Sequence, residues 1–249
     1  MQHWEIILYF ALIAFVYASV GFGGGSSYLA VLALYGLPFQ EVRIIALICN
    51  IIVVTGRAII FIRNKQINWR KITPLIAVSI PLAFLGARLK ISQDTFFVIL
   101  GCSLLLASIF LWIKTKRSEL VVIAPKENAV KDGLLGGGIG FLSGLVGIGG
   151  GIFLSPLLNL LKWDSPKKIA ATASVFILVN SISGIAGQVS HLPGGINYTR
   201  IGLLCFAVFI GGQAGSRMGA IKFNPLVIRR LTAALVFFAG IEVLVKHVH

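Results

Sequence analysis

Apolar residues fall into ten runs along the chain, separated by short stretches rich in glycine, proline and charged residues. The runs cover approximately residues 5–20, 26–37, 43–62, 72–89, 95–113, 133–147, 152–161, 169–189, 201–216 and 226–245. A helix of about 20 apolar residues crosses a ~30 Å hydrocarbon core, whereas a much shorter run does not cross it upright. The pattern predicts an all-α polytopic membrane protein in which each half has two short helices followed by three transmembrane helices.

The two short helices of each half meet at a cluster of glycines, at residues 21–25 and 147–151. Each glycine destabilises a helix by roughly 1 kcal/mol relative to alanine, and interrupted backbone in lipid has to be satisfied by protein or water. Matching breaks in two halves predict an internal repeat around a central site, which is typical of transporters. We expect one membrane domain made of a first repeat over 1–114, a cytoplasmic linker over 115–130 and a second repeat over 131–249.

Two further motifs align the halves and show that the offset between them drifts from 126 to 129 residues. Asn68-Trp69 matches Asn197-Tyr198, and Gly86-Ala87-Arg88-Leu89 matches Gly215-Ser216-Arg217-Met218. These matches make it possible to compare the predicted membrane side of each loop with that of its counterpart.

Loop charge predicts the orientation of the two halves. Of the 22 lysines and arginines, 16 lie in four regions, at 63–71, 114–131, 162–168 and 217–230. The positive-inside rule places these regions in the cytoplasm. The loop 63–71 then faces inward while its counterpart, 191–200, faces outward, so we predict inverted-topology repeats with both termini outside. Each glycine-broken pair is either a re-entrant hairpin or two short tilted spans.

Composition supports a membrane protein and excludes several other classes. The chain is 57% hydrophobic and 12% charged, with a mean hydropathy of +0.93, whereas soluble domains carry about 25% charged residues. The net charge of +14 comes from short loops, so the expected partner is the lipid bilayer and not nucleic acid. Cys49, Cys102 and Cys205 lie inside apolar runs without metal-ligand spacing, so we expect no cofactor, no metal and no enzymatic activity.

The glycine clusters are the strongest candidates for a binding site. Glycine lets a ligand approach the backbone closely, and a helix that begins there directs its free N–H groups and positive dipole end at the gap, which suits an anion. The alternative is close packing of helices through small residues. That alternative is our expectation for a third group, Gly133, Gly136, Gly137, Gly138, Gly140 and Gly144.

Arg57 is a basic residue well inside an apolar run, which by default suggests a functional role, since guanidinium binds oxyanions in bidentate fashion. Alternatively it extends toward the cytoplasmic surface near Arg63. Other polar residues in the spans either line a substrate path or form hydrogen bonds across helices, worth about 0.6 kcal/mol each. The full set of predicted substrate-binding residues is Gly23, Gly24, Gly25, Ser26, Ser27, Asn50, Arg57, Gly149, Gly150, Gly151, Thr172, Ser174 and Asn180.

Three segments resemble the sulfite exporter TauE/SafE family, also called the toluene sulfonate uptake permease family. They are Gly21-Phe22-Gly23-Gly24-Gly25, Gly144-Leu145-Val146-Gly147-Ile148-Gly149-Gly150-Gly151, and Ala171-Thr172-Ala173-Ser174 with the following Asn180-Ser181-Ile182-Ser183-Gly184. The resemblance implies transport of sulfite, sulfonates or related sulfur anions across the bacterial cytoplasmic membrane, with the paired glycine motifs at the centre of the transport site.

Together these features predict an alternating-access transporter of a small anion. Moving one negative charge out across an inside-negative membrane releases ~2.3 kcal/mol per 100 mV, which favours export. A passive anion channel is the alternative, since paired half-helices also build channel pores. The sequence leaves open a homo-oligomer.

Overall fold

The computed structural model describes residues 4–20, 23–112, 128–189, 197–219 and 225–247, and every regular element within them is a helix. The helices follow the ten apolar runs, which confirms the all-α prediction. They are α1 (Glu5–Val20), α2 (Gly25–Leu34), α3 (Phe39–Arg63), α4 (Trp69–Arg88), α5 (Gln93–Trp112), α6 (Ala129–Val146), α7 (Gly151–Leu160), α8 (Pro166–Gln188), α9 (Tyr198–Gly219) and α10 (Pro225–His247). The predicted linker lies largely outside the described residues.

Helix lengths match a multi-pass membrane protein, with one correction to the predicted pattern: α6, predicted to be a short helix, is long enough to cross a membrane. Within the described ranges, α3, α4, α5, α6 and α8 are long and apolar enough to cross a membrane. Helix α6 is longer than its apolar run because Asn128 caps it, accepting the N–H of Lys131 at 3.1 Å. Its 18 residues extend about 27 Å, close to a full span, whereas α2 and α7 have only ten residues each.

Polar contacts show that each glycine-broken pair begins and ends on the same side of the molecule. Tyr35, which follows α2, donates its hydroxyl to Glu5 Oε2 at the start of α1, at 3.4 Å. Trp163, which follows α7, donates its Nε1–H to Asp132 Oδ1 near the start of α6, at 2.9 Å. Each pair is therefore a helical hairpin whose two ends lie together, a property that a re-entrant hairpin and two short tilted spans share.

The two hairpins enter from opposite ends of α3. The first hairpin leads directly into the start of α3, where Glu41 pairs with Arg200 at 3.3 Å. The second is tied to the segment that follows α3, because Lys71 near the start of α4 donates to the carbonyl of Trp163 at 3.1 Å. The tips of the hairpins consequently approach each other beside the middle of α3.

Glycines set the closest helix crossings. On α6, Gly136, Gly140 and Gly144 pack against the backbone of α4 at Leu75, Ser79 and Ala83, respectively. The four-residue spacing on both helices confirms the predicted packing role of these glycines. Gly138 has open space around it, so its assignment to this interface was wrong.

The contacts that join the two halves follow the internal repeat. Helix α4 of the first half packs on α6 of the second as α9 packs on α1, and α3 with α8 and α5 with α10 also join the halves. Gly86 on α4 lies against the carbonyl of Phe141 on α6, and Gly215 on α9 lies against the carbonyl of Phe15 on α1. The residues aligned from the sequence thus make the same contacts in both halves.

Candidate functional site between the two glycine breaks

Asn50 lies midway along α3, is fully buried, and contacts both glycine breaks. A Cβ atom added at Gly23 or Gly25 of the first break would overlap its side-chain amide. A Cβ at Gly149 of the second break would lie 2.7 Å from its Nδ2. Two segments 126 residues apart in sequence therefore close around a single amide side chain.

Ile177 takes the corresponding position on α8. A Cβ added at Gly149 or Gly151 of the second break, or at Gly23 of the first, would meet its side chain. The backbone of the site is therefore symmetric between the halves, whereas its chemistry is not, because an amide on α3 faces an alkyl group on α8. Sequence reasoning missed Ile177, which is one of many apolar residues in a span.

The breaks also require glycine for conformational reasons. Gly24 (φ 82°) and Gly150 (φ 80°) are the N-cap residues of α2 and α7, and both have left-handed backbone, as do Gly147 and Gly149. A side chain costs roughly 1–2 kcal/mol in this region. Conformation and close approach together explain why each break carries consecutive glycines.

Two helix N-termini are directed at this point. In α2 the first internal hydrogen bonds run from the N–H groups of Ser27 and Tyr28 to the Gly24 carbonyl, both at 3.0 Å. In α7 the equivalent bonds run from Phe153 and Leu154 to the Gly150 carbonyl, at 3.2 and 3.0 Å. The N–H groups that precede them lack intrahelical acceptors and carry the positive end of the helix dipole. Such an arrangement suits an anion.

The orientation of the Asn50 amide is fixed by one hydrogen bond. Its Nδ2 donates to the carbonyl of Ile148, within the second break, at 2.8 Å. Because a carbonyl only accepts, Oδ1 has to face the other way, where it is buried without a hydrogen-bond partner. With one N–H used, the amide keeps its second N–H and its unpaired Oδ1 for whatever occupies the gap.

Three buried hydroxyls surround the same breaks. Tyr28 Oη and Ser181 Oγ lie 3.1 and 3.0 Å from the Cβ positions of Gly24 and Gly149, and Ser143 Cβ lies 3.3 Å from that of Gly150. None of these hydroxyls has a hydrogen-bond partner in the described part of the chain. Because each unpaired buried polar group costs about 1–3 kcal/mol, their grouping makes the space between the breaks a candidate for a polar ligand.

The other predicted polar residues lie nearby but bond elsewhere. Ser26 and Thr172 are buried, and Ser27 Oγ lies 2.7 Å from the hydroxyl of Tyr17. Ser174 donates to the carbonyl of Ala170 on its own helix at 2.9 Å. Asn180 donates to Ser79 Oγ on α4 at 3.1 Å and to the carbonyl of Phe176 at 2.8 Å. Ser174 and Asn180 thus form hydrogen bonds within α8, and Asn180 also joins α8 to α4.

Arg57 is not brought to the glycine breaks. It follows Asn50 by seven residues, or about 10 Å along α3, and lines a separate crevice between α3 and α9. Its guanidinium carbon lies 6.0 Å from the centre of the Phe61 ring. The sequence correctly marked Arg57 as unusual, but the structure separates it from the central site.

A second buried arginine, Arg43, was missed because it lies in the polar stretch taken for a connection. The structure places it inside α3 with 4% of its surface exposed. Its Nη2 donates to the carbonyls of Ala87 and Gly144, at 3.2 and 3.0 Å, in the last turns of α4 and α6. Arg43 therefore neutralises the negative ends of two helices beside the second break.

The fold is that of a multi-pass membrane protein, and its candidate site lies between two glycine-broken helix hairpins. The family model described as sulfite exporter TauE/SafE matches residues 6–243, and the chain belongs to this family of membrane transporters.

Curated relatives agree with this class. The chain is 30% identical to a probable membrane transporter protein of Sinorhizobium fredii, covering 94% of this chain and 95% of the relative. It is 24% identical to a probable membrane transporter protein of Methanocaldococcus jannaschii, covering 72% and 70%. A Haemophilus influenzae protein of the same description is 27% identical over 48% and 47%. No solved structure gives a significant match.

Proposed function

We propose that this protein exports a small sulfur oxyanion, of the sulfite or sulfonate class, across the bacterial cytoplasmic membrane. The observation that carries the proposal is the convergence of two helix N-termini on Asn50, where the backbone of both breaks is free of side chains. The donors are the first N–H groups of α2 and α7 and the nearby hydroxyls, and residues 23–27 and 149–151 form the walls. The description of the matching family, which names sulfite export, supports the substrate class.

The mechanism is alternating access between two inverted repeats. The hairpins enter from opposite ends of α3, as their contacts with Glu5, Asp132 and Lys71 indicate. Movement of one bundle against the other around a fixed central site would expose Asn50 to each side in turn. In this arrangement the basic loops face the cytoplasm and both termini lie outside.

Export of an anion needs no coupled ion in this scheme, because the membrane potential drives it. One negative charge that leaves an inside-negative cell gains ~2.3 kcal/mol per 100 mV. The described spans carry their acidic side chains near helix ends, at Glu5, Glu41, Asp94, Asp132 and Glu242. A proton relay through the centre of the membrane is therefore not part of the proposal.

The test is sulfite flux in proteoliposomes loaded with sulfite, at controlled membrane potential. We expect saturable efflux that is stimulated by sulfite on the opposite side and that increases when the loaded compartment is made negative. Efflux that ignores the potential would contradict electrogenic export. Large unitary currents without counter-substrate stimulation would instead favour the anion channel.

A further inference from the structure

Two crevices between helices occupy positions that are equivalent under the internal repeat. Asn50 and Ile177, which contact the glycine breaks in the same way, relate α3 to α8 with an offset of 127 residues. Asn68 and Asn197 relate α4 to α9 with an offset of 129, since each accepts a backbone N–H three residues on, at 3.4 and 3.0 Å. With these offsets, the crevice between α4 and α8 corresponds to the crevice between α9 and α3.

The chemistry of the two crevices differs. The crevice between α4 and α8 is an open groove of about 660 Å³ with apolar walls. The hydroxyl of Ser183 in this groove already donates to the carbonyl of Ile80, at 2.6 Å. The crevice between α3 and α9 is much smaller, about 40 Å³, and contains Arg57, Gln213 and Ser216. The charged and amide side chains are therefore confined to one of the two crevices.

The offsets identify the substitutions that create this difference. Arg57 stands where the other crevice has Gly184, and Gln213 stands where the other crevice has Phe84. One crevice thus has a guanidinium and an amide at two neighbouring positions where the other crevice has a hydrogen and a phenyl ring. Two such changes that both add hydrogen-bond donors indicate a binding function and not a packing adjustment.

The Arg57 guanidinium has an unused donor. Its Nη1 is buried and has no hydrogen-bond partner among the described residues. The helices that form the crevice offer no nearby carboxylate, because α9 has no acidic residue and Glu41 on α3 is 16 residues away, or about 24 Å. A cation this deep in a span is costly unless it is paired, and an oxyanion is the partner whose geometry fits it.

We propose that the α3–α9 crevice is a second anion-binding site, a vestibule through which the substrate reaches Asn50. It takes a small oxyanion such as sulfite, since this crevice is much smaller than the apolar groove. It lies on the side of Asn50 toward the end of α3, the predicted cytoplasmic side. The anion is captured there by Arg57 and Gln213 and passes on to Asn50. The identity of the anion rests on the proposed function, whereas the site itself does not.

The test compares sulfite efflux from proteoliposomes containing wild type, Arg57→Gln, Arg57→Lys, Gln213→Leu or the control Arg63→Gln. Arg63 is exposed, lies on the same helix and is outside the crevice, so its variant makes the same charge change. We expect Arg57→Gln to raise the KM for sulfite about tenfold with the maximal rate retained, because Asn50 is intact. Arg57→Lys should recover part of the affinity, and Gln213→Leu should raise KM about threefold.

Thermal stabilisation of the purified proteins by sulfite, sulfate and chloride separates this inference from the proposed function. If Arg57→Gln behaves like Arg63→Gln in both assays, or loses maximal rate at unchanged KM, the vestibule is overturned while the transporter proposal stands. If wild type moves no sulfur oxyanion but an anion stabilises it and not Arg57→Gln, the site stands and the substrate assignment fails. If Arg57→Gln does not fold, an unchanged KM in Gln213→Leu overturns the vestibule.

Discussion

At the scale of single residues, the glycine breaks satisfy two requirements at once. Gly149 has a left-handed backbone, with φ of +81°, and its Cβ position lies 2.7 Å from Asn50 Nδ2. Gly25 has no such backbone requirement but lies so close to Asn50 and the Ile148 carbonyl that a methyl group would overlap both. The site therefore depends on the absence of side chains as much as on the groups that are present.

Replacing Gly149 with alanine tests this dependence. We expect Gly149→Ala to be destabilising by about 2–4 kcal/mol, from the left-handed backbone and from overpacking, and to abolish transport. Gly138→Ala is the matched control, because Gly138 lies within α6 with open space around it, and we expect it to be neutral or stabilising by up to about 1 kcal/mol. Thermal melts and flux measure both variants, and equal behaviour would contradict the account.

The sequence identified Asn50 and the glycines, because a polar side chain or a glycine run in an apolar span stands out. Ile177 and Arg43 could not be found in this way. Ile177 looks like any lipid-facing or core residue until the second break is placed against it. Arg43 lies near the start of α3, in a stretch that reads as a loop, and the carbonyls that accept from it lie at the ends of α4 and α6, far away in the sequence.

At the scale of helices, all ten elements could be predicted, since hydrophobic length alone determines them. The start of α6 was placed four residues late, because its capped polar first turn carries no apolar signal. The sequence also could not show that the two ends of each glycine-broken pair lie together. That depends on contacts such as Trp163 with Asp132, which join helix ends that are distant in the chain.

Arg43 is the strongest connection between helix ends, and its removal is a second test. Arg43→Met leaves the carbonyls of Ala87 and Gly144 without their donor, and we expect a loss of about 2–4 kcal/mol in the free energy of unfolding. The exposed Arg63 gives the control variant Arg63→Gln, for which the change should stay within about 0.5 kcal/mol. If the two variants unfold at the same denaturant concentration, Arg43 does not hold α4 and α6 together.

At the scale of the whole molecule, the proposed alternating access requires the two halves to face opposite sides of the membrane. Lys65 follows α3 and Tyr198 begins α9, and both are exposed. Cysteines placed at these two positions, in a background where the native cysteines are replaced by serine, should react with a membrane-impermeant thiol reagent from opposite sides. Labelling of both from the same side would remove the inverted arrangement and with it alternating access through the two hairpins.

The most direct test of the central site is sulfite efflux by Asn50→Leu compared with Thr55→Val. Thr55 lies on the same helix and donates to the carbonyl of Ile51 within it, at 2.6 Å, so its variant should transport within about twofold of wild type. Loss of the Asn50 amide removes its remaining N–H donor and its tie to the second break, and we expect efflux to fall at least about tenfold in a protein that still purifies as a single folded species. Wild-type efflux by folded Asn50→Leu would contradict a substrate site between the glycine breaks.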